Sequence, residues 1–166
     1  MANNVIGKIP EGWKKNKLGD VVNIEIGGTP PRNRLEYWDK DKVTDNLWVS
    51  IFDMTQKYIS DTLEYITDLG VKNSNAKLVR KGTVLLSFKL TIGKVAIAGR
   101  DLYTNEAIAA LVPKNHLFIQ GKFLYYGLHF WNLLQDVDQA IKGVTLNKKK
   151  LHAIKIICPE NTLEQS

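Results

Sequence analysis

Basic side chains are concentrated in the second half of this sequence, in a pattern that suits contact with a polyanion. Residues 1–70 carry 9 Lys and Arg against 11 Asp and Glu, whereas residues 71–166 carry 14 against 6. Residues 71–100 contain seven basic and no acidic side chains, and residues 139–158 contain five lysines and no acid. Neutralising phosphates releases their counterions, so such clusters favour nucleic acid as a partner. Because lysines also solubilise ordinary surfaces, the net charge of +6 favours it only modestly.

Side chains at spacings that support catalysis are missing from the sequence. It has no Asp/Glu-x-Lys triplet of a metal-dependent nuclease and no glycine-rich fingerprint for S-adenosylmethionine or a dinucleotide. His116, His129 and His152 are too scattered, and lack cysteine partners, for a zinc site. The single cysteine, Cys158, lies in an apolar run and is expected to be a buried thiol. The sequence therefore predicts binding rather than catalysis, with no metal and no cofactor.

The composition is that of one globular domain. The chain has 166 residues, of which 44% are hydrophobic and 24% are charged, which is enough to bury a core. Apolar runs stop at about six residues, far short of the ~20 that cross a bilayer. The N-terminus also lacks the apolar segment of a signal peptide. We expect a cytoplasmic protein with no membrane partner.

Three strands are predicted to form the sheet around which the rest of the chain is arranged. Residues 83–88 and 95–98 are rich in β-branched and aliphatic side chains, and the short loop between them contains Gly93, which indicates a hairpin. A third apolar run, residues 107–112, closes at Pro113, which cannot donate to a ladder and suits a strand end. The hairpin loop carries two lysines and a threonine, which suits contact with an anion.

The flanking segments predict further short elements. Apolar runs indicate strands at residues 47–52, 62–66 and 154–158, and Thr67 is a candidate N-cap of a short helix within residues 67–78. Apolar residues at spacings of three and four predict an amphipathic helix over residues 119–137. The predicted fold class is α+β: a single domain with a mixed or antiparallel β-sheet core, a few helices and one long amphipathic helix near the C-terminus.

Aromatic side chains lie between the predicted strands. Tyr37 and Trp38 could stack on bases, but aromatics beside a strand belong to the core more often than not, so we expect them to pack.

A set of short motifs follows a characteristic order along residues 10–165. In chain order they are Trp13-x4-Leu18-Gly19-Asp20-Val21, Gly28-Thr29-Pro30, Glu36-Tyr37-Trp38, Ile59-Ser60-Asp61-Thr62, Ile66-Thr67, Lys81-Gly82-Thr83-Val84-Leu85-Leu86-Ser87, Thr91-Ile92-Gly93-Lys94, Thr104-Asn105-Glu106-Ala107-Ile108, and Pro159 with Glu164-Gln165. Each motif is weak alone, but the ordered set resembles a target recognition domain of a type I restriction-modification specificity subunit (HsdS).

The resemblance implies a DNA specificity module that is not itself an enzyme. In that family one subunit usually holds two such domains, separated by long helices, and each domain reads one half of an interrupted double-stranded DNA site. Methyltransferase (M) subunits carry the S-adenosylmethionine and the adenine methylation, and a restriction (R) subunit joins the full complex. The resemblance divides this chain into a lead-in (1–9), a recognition domain (10–160) and the start of a truncated spacer helix (161–166). With one domain, the chain is either a fragment or a half-subunit that self-associates.

Polar and basic loop residues are the predicted DNA contacts: Arg32, Arg34, Lys57, Lys72, Lys89, Thr91, Lys94, Lys142 and Lys148. Phosphate contact suits the lysines, whereas Arg32, Arg34 or Thr91 are candidates for reaching base edges. Each of them is equally well explained as a solvated surface residue. The motif residues Gly82, Gly93 and Asn105 are interpreted as turn and corner makers.

Two other functions remain open on the sequence alone. One is a basic domain that binds DNA or RNA without sequence preference. The other is an assembly or decoy module that binds a methyltransferase subunit and leaves DNA alone.

Overall fold

A computed structural model describes residues 9–116, 119–131 and 146–160. The strands, in chain order, are β1 (Trp13–Lys17), β2 (Val22–Ile26), β3 (Leu47–Val49), β4 (Tyr58–Ile59), β5 (Glu64–Tyr65), β6 (Val84–Ser87), β7 (Val95–Ala98), β8 (Tyr103–Thr104), β9 (Ile108–Pro113) and β10 (Lys155–Pro159). The α-helices are α1 (Leu18–Val21), α2 (Asp68–Lys72), α3 (Gly121–Phe130) and α4 (Lys148–Ala153), and Leu35–Tyr37 and Ile51–Asp53 form 3-10 turns.

The predicted hairpin and third strand form the centre of a five-stranded sheet with the order β2-β9-β6-β7-β4. The pairs β2–β9, β6–β9 and β6–β7 are antiparallel, and the edge strand β4 runs parallel to β7. Gly93 in the hairpin loop has a φ of 94°, which glycine adopts without strain. Pro113 is the last residue of β9, as expected for a residue that lacks an amide donor. The α+β fold class is confirmed.

The central strands are apolar on both faces because both faces are covered. Successive side chains of a strand point to opposite sides. Accordingly Leu86 of β6 joins a core with the helical residues Leu124 and Leu151, while Leu85 joins a second core with Leu47 of β3. Burying one such leucine stabilises the fold by roughly 1.5–3 kcal/mol, so the sheet is held from both sides.

Two smaller sheets complete the architecture of the described residues. The strands β5, β3 and β8 form a three-stranded sheet, in which β3 runs antiparallel to β5 and parallel to β8. The strands β1 and β10 form an antiparallel pair in which Trp13 faces Pro159 and Lys17 faces Lys155. The segments nearest the two ends of the described chain are therefore joined to each other.

Several predicted elements are shorter in the structure. The strand predicted over residues 47–52 ends at Val49, because Ser50 and Asp53 form a capping box that starts a 3-10 turn. The strand predicted over residues 62–66 is reduced to Glu64–Tyr65. The helix predicted within residues 67–78 is Asp68–Lys72, and the Thr67 hydroxyl caps it by accepting from the Gly70 amide over 3.1 Å.

The helix predicted over residues 119–137 is wrong in its bounds, since it begins later and ends earlier in the structure. Gln120 and Trp131 have extended backbones on either side of α3, so the helix covers Gly121–Phe130; residues 132–137 lie outside the described residues. The extended backbone turns the Trp131 ring back onto Phe123, with ring centroids 5.9 Å apart. A Cβ on Gly127 would lie 2.5 Å from that ring, so the missing side chain makes room for it. None of the helices in the described part of the chain could span a membrane.

Candidate nucleic-acid interface

Gly27 and Gly28 allow the loop that follows β2 to pack closely against the backbone of β8, in the three-stranded sheet, and of Asn75. A Cβ on Gly27 would lie 2.1 Å from the Thr104 carbonyl oxygen, and one on Gly28 would lie 2.5 Å from the Asn75 carbonyl carbon. The Gly28 carbonyl accepts a hydrogen bond from Trp48 Nε1 over 3.0 Å. Because only glycine fits so close to another backbone, this packing fixes where the loop leaves the sheet.

The same loop delivers Arg32 into a fixed position beside two tryptophans. Its guanidinium lies over the Trp38 ring, 3.8 Å from the centroid, and 4.8 Å from the centroid of Trp48. Its Nη1 donates to Glu64 Oε1 over 2.5 Å and its Nη2 donates to Glu64 Oε2 over 3.0 Å. Trp38 packs edge-on against Trp48 and donates from Nε1 to the Pro31 carbonyl. Arg32 is therefore oriented by stacking and by a bidentate ion pair.

The Arg32–Glu64 pair remains accessible from solvent. The Arg32 side chain is 54% exposed and the Glu64 side chain is 43% exposed. Trp38, beneath the guanidinium, is half-buried, which confirms that it packs rather than projects. The arrangement presents a polar edge on a rigid aromatic support.

Glu106, at the corner between β8 and β9, links this loop to the β6–β7 hairpin. The Thr29 hydroxyl donates a hydrogen bond to the Glu106 carboxylate. Partial burial raises the pKa of Glu106, but the hydrogen bonds from Thr29 and from the backbone amide of Glu106, together with the charges of Lys89 and Arg32, outweigh burial and lower it. Arg32 and Lys89 therefore both lie near enough to this carboxylate to be coupled to it electrostatically.

The tip of the hairpin projects next to this corner. Leu90 is 96% exposed and has a φ of 59°, which is uncommon for a residue with a side chain. Thr91 is exposed, and no described residue hydrogen-bonds to its hydroxyl. Lys94 differs, because its ammonium donates to the Ile51 carbonyl over 3.2 Å and so already bonds within the chain. Lys89 and Thr91 are the predicted contacts that this loop offers to solvent.

Lys57 lies on the other face of the large sheet. Its ammonium donates to the Tyr126 hydroxyl over 2.7 Å and lies 4.5 to 5.4 Å from the ring centroids of Tyr58, Tyr125 and Tyr126. The hydrogen bond to Tyr126 raises the pKa of Lys57 and lowers that of Tyr126. Tyr126 belongs to α3, whose Leu124 lies in the first core, whereas Lys94 reaches Ile51 in the second core, so the ammonium groups of Lys57 and Lys94 lie on different faces of the sheet.

The remaining predicted contacts are dispersed. Arg34 donates from Nε to Glu36 over 2.7 Å, and this hydrogen bond raises the pKa of Arg34. Lys72 is exposed at the C-terminal end of α2, and Lys148 is exposed at the first position of α4. Lys142 lies outside the described residues. A DNA contact for each of these residues stays a prediction.

Lys148 lines a cleft along the outer strand β2. The cleft has a volume of about 380 Å³, and two further lysines, Lys77 and Lys114, line it together with His152 and Glu25. Lys114 donates to the Gly19 carbonyl over 2.7 Å, while no described residue is paired with Lys77 or Lys148. Lys77 and Lys114 were not among the predicted DNA contacts. The only sequence signals were that Lys77 lies in the acid-free residues 71–100 and that Lys114 follows Pro113.

Residues 10–166 match the family described as the type I restriction modification DNA specificity domain. The chain belongs to this family. It is 35% identical over 124 residues to the type I restriction enzyme MjaIX specificity subunit of Methanocaldococcus jannaschii, covering 73% of this chain and 27% of that protein. It is 26% identical over 158 residues to the EcoR124I/EcoR124II specificity subunit of Escherichia coli, covering 92% of this chain and 38% of that protein. The resemblance that the motif order indicates is confirmed.

The fold of this DNA specificity domain also matches solved structures. The HsdS subunit from Thermoanaerobacter tengcongensis superposes with a TM-score of 0.71 at 23% identity, over 98% of this chain and 36% of that one. A second match, at 18% identity and a TM-score of 0.61, is the type I restriction-modification S subunit from M. genitalium, over 99% of this chain and 38% of that one. The chain thus spans little more than a third of these proteins, and about a quarter to two fifths of the specificity subunits whose sequences it matches.

In this specificity domain, two carboxylates that pair with residues of the Arg32 loop were not predicted. Glu64 lies 32 residues from Arg32 in sequence, and Glu106 lies 77 residues from Thr29. Glu106 belongs to the motif of residues 104–108, but nothing local in the sequence indicates the partner of either carboxylate, because the tertiary fold brings each pair together. The described residues contain no cluster of His, Cys, Asp and Glu that could hold a metal ion.

Cys158 of the specificity domain is a buried thiol, as predicted. Burial raises its pKa, and the sulfur accepts a hydrogen bond from Asn16 Nδ2 over 3.1 Å. A thiol held protonated is a poor nucleophile, so its role is in packing β10.

Proposed function

We propose that this chain binds double-stranded DNA in a sequence-specific way, as the specificity subunit of a type I restriction-modification system or a part of one. The observation that carries the proposal is membership, over residues 10–166, of the DNA specificity domain family. The two relatives compared above are both specificity subunits. In this role the domain reads one half of a bipartite site and directs methyltransferase and restriction subunits to it.

The end of the sheet where Arg32, Lys89 and Thr91 lie is the DNA-contacting surface in this proposal. Lys89 supplies charge for phosphates, and Arg32, fixed by Trp38, supplies an oriented donor group for base edges. Both cations are coupled electrostatically to Glu106, and Arg32 is paired with Glu64, so the surface is mixed in charge rather than uniformly basic. A mixed surface favours reading of base edges over strong non-specific attraction to phosphates. The lysines of the β2 cleft add phosphate contacts along the neighbouring edge.

The proposal assigns no catalytic step to this chain. Methylation and cleavage belong to the partner M and R subunits, with which it assembles in the cytoplasm, and two copies self-associate if the chain is a half-subunit. The recognition domain itself corresponds to residues 10–160, which contain both strands of the β1–β10 pair.

The experiment is a salt-titrated selection of the chain against a pool of randomised duplexes, with sequencing of the retained DNA. We expect enrichment of a short motif, and a log affinity that falls linearly with log salt concentration. Salt-sensitive retention without a motif would instead support a basic domain that lacks sequence preference. No retention of DNA, with capture of a methyltransferase subunit, would support an assembly or decoy module.

A further inference from the structure

We propose that Arg32 and Glu64 act together as the reader of a single G·C base pair from the major groove. This inference rests on the proposed function and specifies which base pair one part of the surface takes. It depends on three features of the pair: the donors that the ion pair leaves unused, the place of the carboxylate beside them, and the rigid support.

The bidentate ion pair uses only part of the guanidinium. One N–H of Nη1 and one N–H of Nη2 are directed at Glu64. The guanidinium carries further N–H groups, and those of Nε and the outward side of Nη2 form a second fork. No described residue accepts a hydrogen bond from Nε. Arg32 therefore keeps one complete pair of parallel donors while it is held by Glu64.

An acceptor lies directly beside this fork. Glu64 Oε2 is 3.0 Å from Nη2, so the exposed edge runs in the order Nε–H, Nη2–H, Oε2. In terms of hydrogen bonding this order is donor, donor, acceptor. Both side chains are about half exposed to solvent, so the ion pair is accessible to a ligand.

The major-groove edge of a G·C pair has the complementary order. Guanine presents the acceptors N7 and O6, and cytosine then presents the N4 amino donor. Arg32 would donate to N7 and O6, and Glu64 would accept from N4. An A·T pair presents acceptor, donor, acceptor. The donor Nη2–H would then face the N6 amino donor of adenine, and the acceptor Glu64 Oε2 would face the acceptor O4 of thymine. The pair thus discriminates by repulsion as well as by attraction.

The reader is already in place before DNA arrives. The guanidinium rests 3.8 Å from the Trp38 centroid, and Trp38 is fixed by its contact with Trp48 and its hydrogen bond to the Pro31 carbonyl. Fixing a long side chain in advance lowers the entropy cost of binding. A loosely held arginine would have no such preference for one face of a base pair.

The test compares the motif selected by the unaltered chain with those selected by Arg32→Lys and Glu64→Gln. We expect one G·C position in the motif, and both variants should lose the preference there by about fivefold to a hundredfold while keeping the other positions. Arg80→Lys is the matched control, because Arg80 also forms an exposed arginine–carboxylate pair, with Asp101, but lies before β6, away from the hairpin loop, and its motif should be unchanged.

A substitution in the DNA tests the contact without altering the protein. Replacing the guanine with 7-deazaguanine removes the N7 acceptor, so it should weaken binding by the unaltered chain and have little further effect on Arg32→Lys. An unchanged motif in both variants, or a motif without a G·C position, would overturn the inference while leaving sequence-specific binding intact. Absence of any motif from the unaltered chain would overturn the proposed function itself.

Discussion

Lys57 Nζ donates a hydrogen bond to the Tyr126 hydroxyl over 2.7 Å, which ties the residue before β4 to the exposed face of α3. Three tyrosine rings surround this ammonium, whereas Lys89 lies in the hairpin loop and is electrostatically coupled to Glu106. Two lysines that look alike in sequence therefore have different partners, and they should contribute differently to DNA binding.

Lys89→Gln should lower DNA affinity and reduce the slope of log affinity against log salt concentration by about 0.9, the value for one lost phosphate contact. Lys57→Gln should leave the slope unchanged, because that lysine lies on the other face. The measurement is a salt titration with one duplex, and Lys15→Gln on the separate β1–β10 sheet serves as a control. Equal losses for Lys57 and Lys89 would contradict the proposed surface.

Glu106→Gln should change how stability depends on acid. The folded-state pKa of Glu106 is lowered, so its ionised form adds stability above the usual carboxyl range of about 4.3, and that stability is lost as the pH falls through the folded-state pKa. Urea unfolding should show the variant less stable at neutral pH, with the difference shrinking below about pH 4. A difference that stays constant with pH would show that the carboxylate charge plays no part.

Thr67→Ala should destabilise the domain by about 1 kcal/mol. The Thr67 hydroxyl accepts from the Gly70 amide at the start of α2 and donates to the Glu36 carbonyl, so both bonds are lost together. Thr91→Ala is the matched control, because the Thr91 hydroxyl bonds to no described residue, and its free energy of unfolding should change by less than about 0.5 kcal/mol. Chemical denaturation of both variants measures the difference.

Gly28→Ala should destabilise the domain by about 2 kcal/mol or more, because the new Cβ would lie 2.5 to 2.9 Å from backbone atoms of Asn75 and Ala76. Gly121→Ala, at the first position of α3, meets nothing closer than 3.4 Å and should be neutral or slightly stabilising. Thermal unfolding of the two variants distinguishes them. The Gly28 variant should also lose DNA binding, since the loop that carries Arg32 leaves the sheet at that point.

The hairpin and its neighbour were predictable because their apolar, β-branched runs are local signals. The small sheet was harder, because β3, β5 and β8 are two or three residues long and depend on partners far away in sequence. The end of α3 was not predictable from periodicity, since the packing of Trp131 over Gly127 determines it. At the candidate site, loop position identified Arg32, but its carboxylate and its aromatic support come from tertiary structure alone.

The pairing of β1 with β10 has a consequence for how such a domain would be attached to a longer polypeptide. Trp13 lies opposite Pro159, so a polypeptide that continued beyond either strand would leave the domain from neighbouring positions. A domain whose two ends lie side by side can be inserted at a single surface position, so it disturbs the surrounding protein less than a domain with distant ends. We therefore expect that exchanging the segment between these two strands would leave the geometry of a surrounding scaffold unchanged.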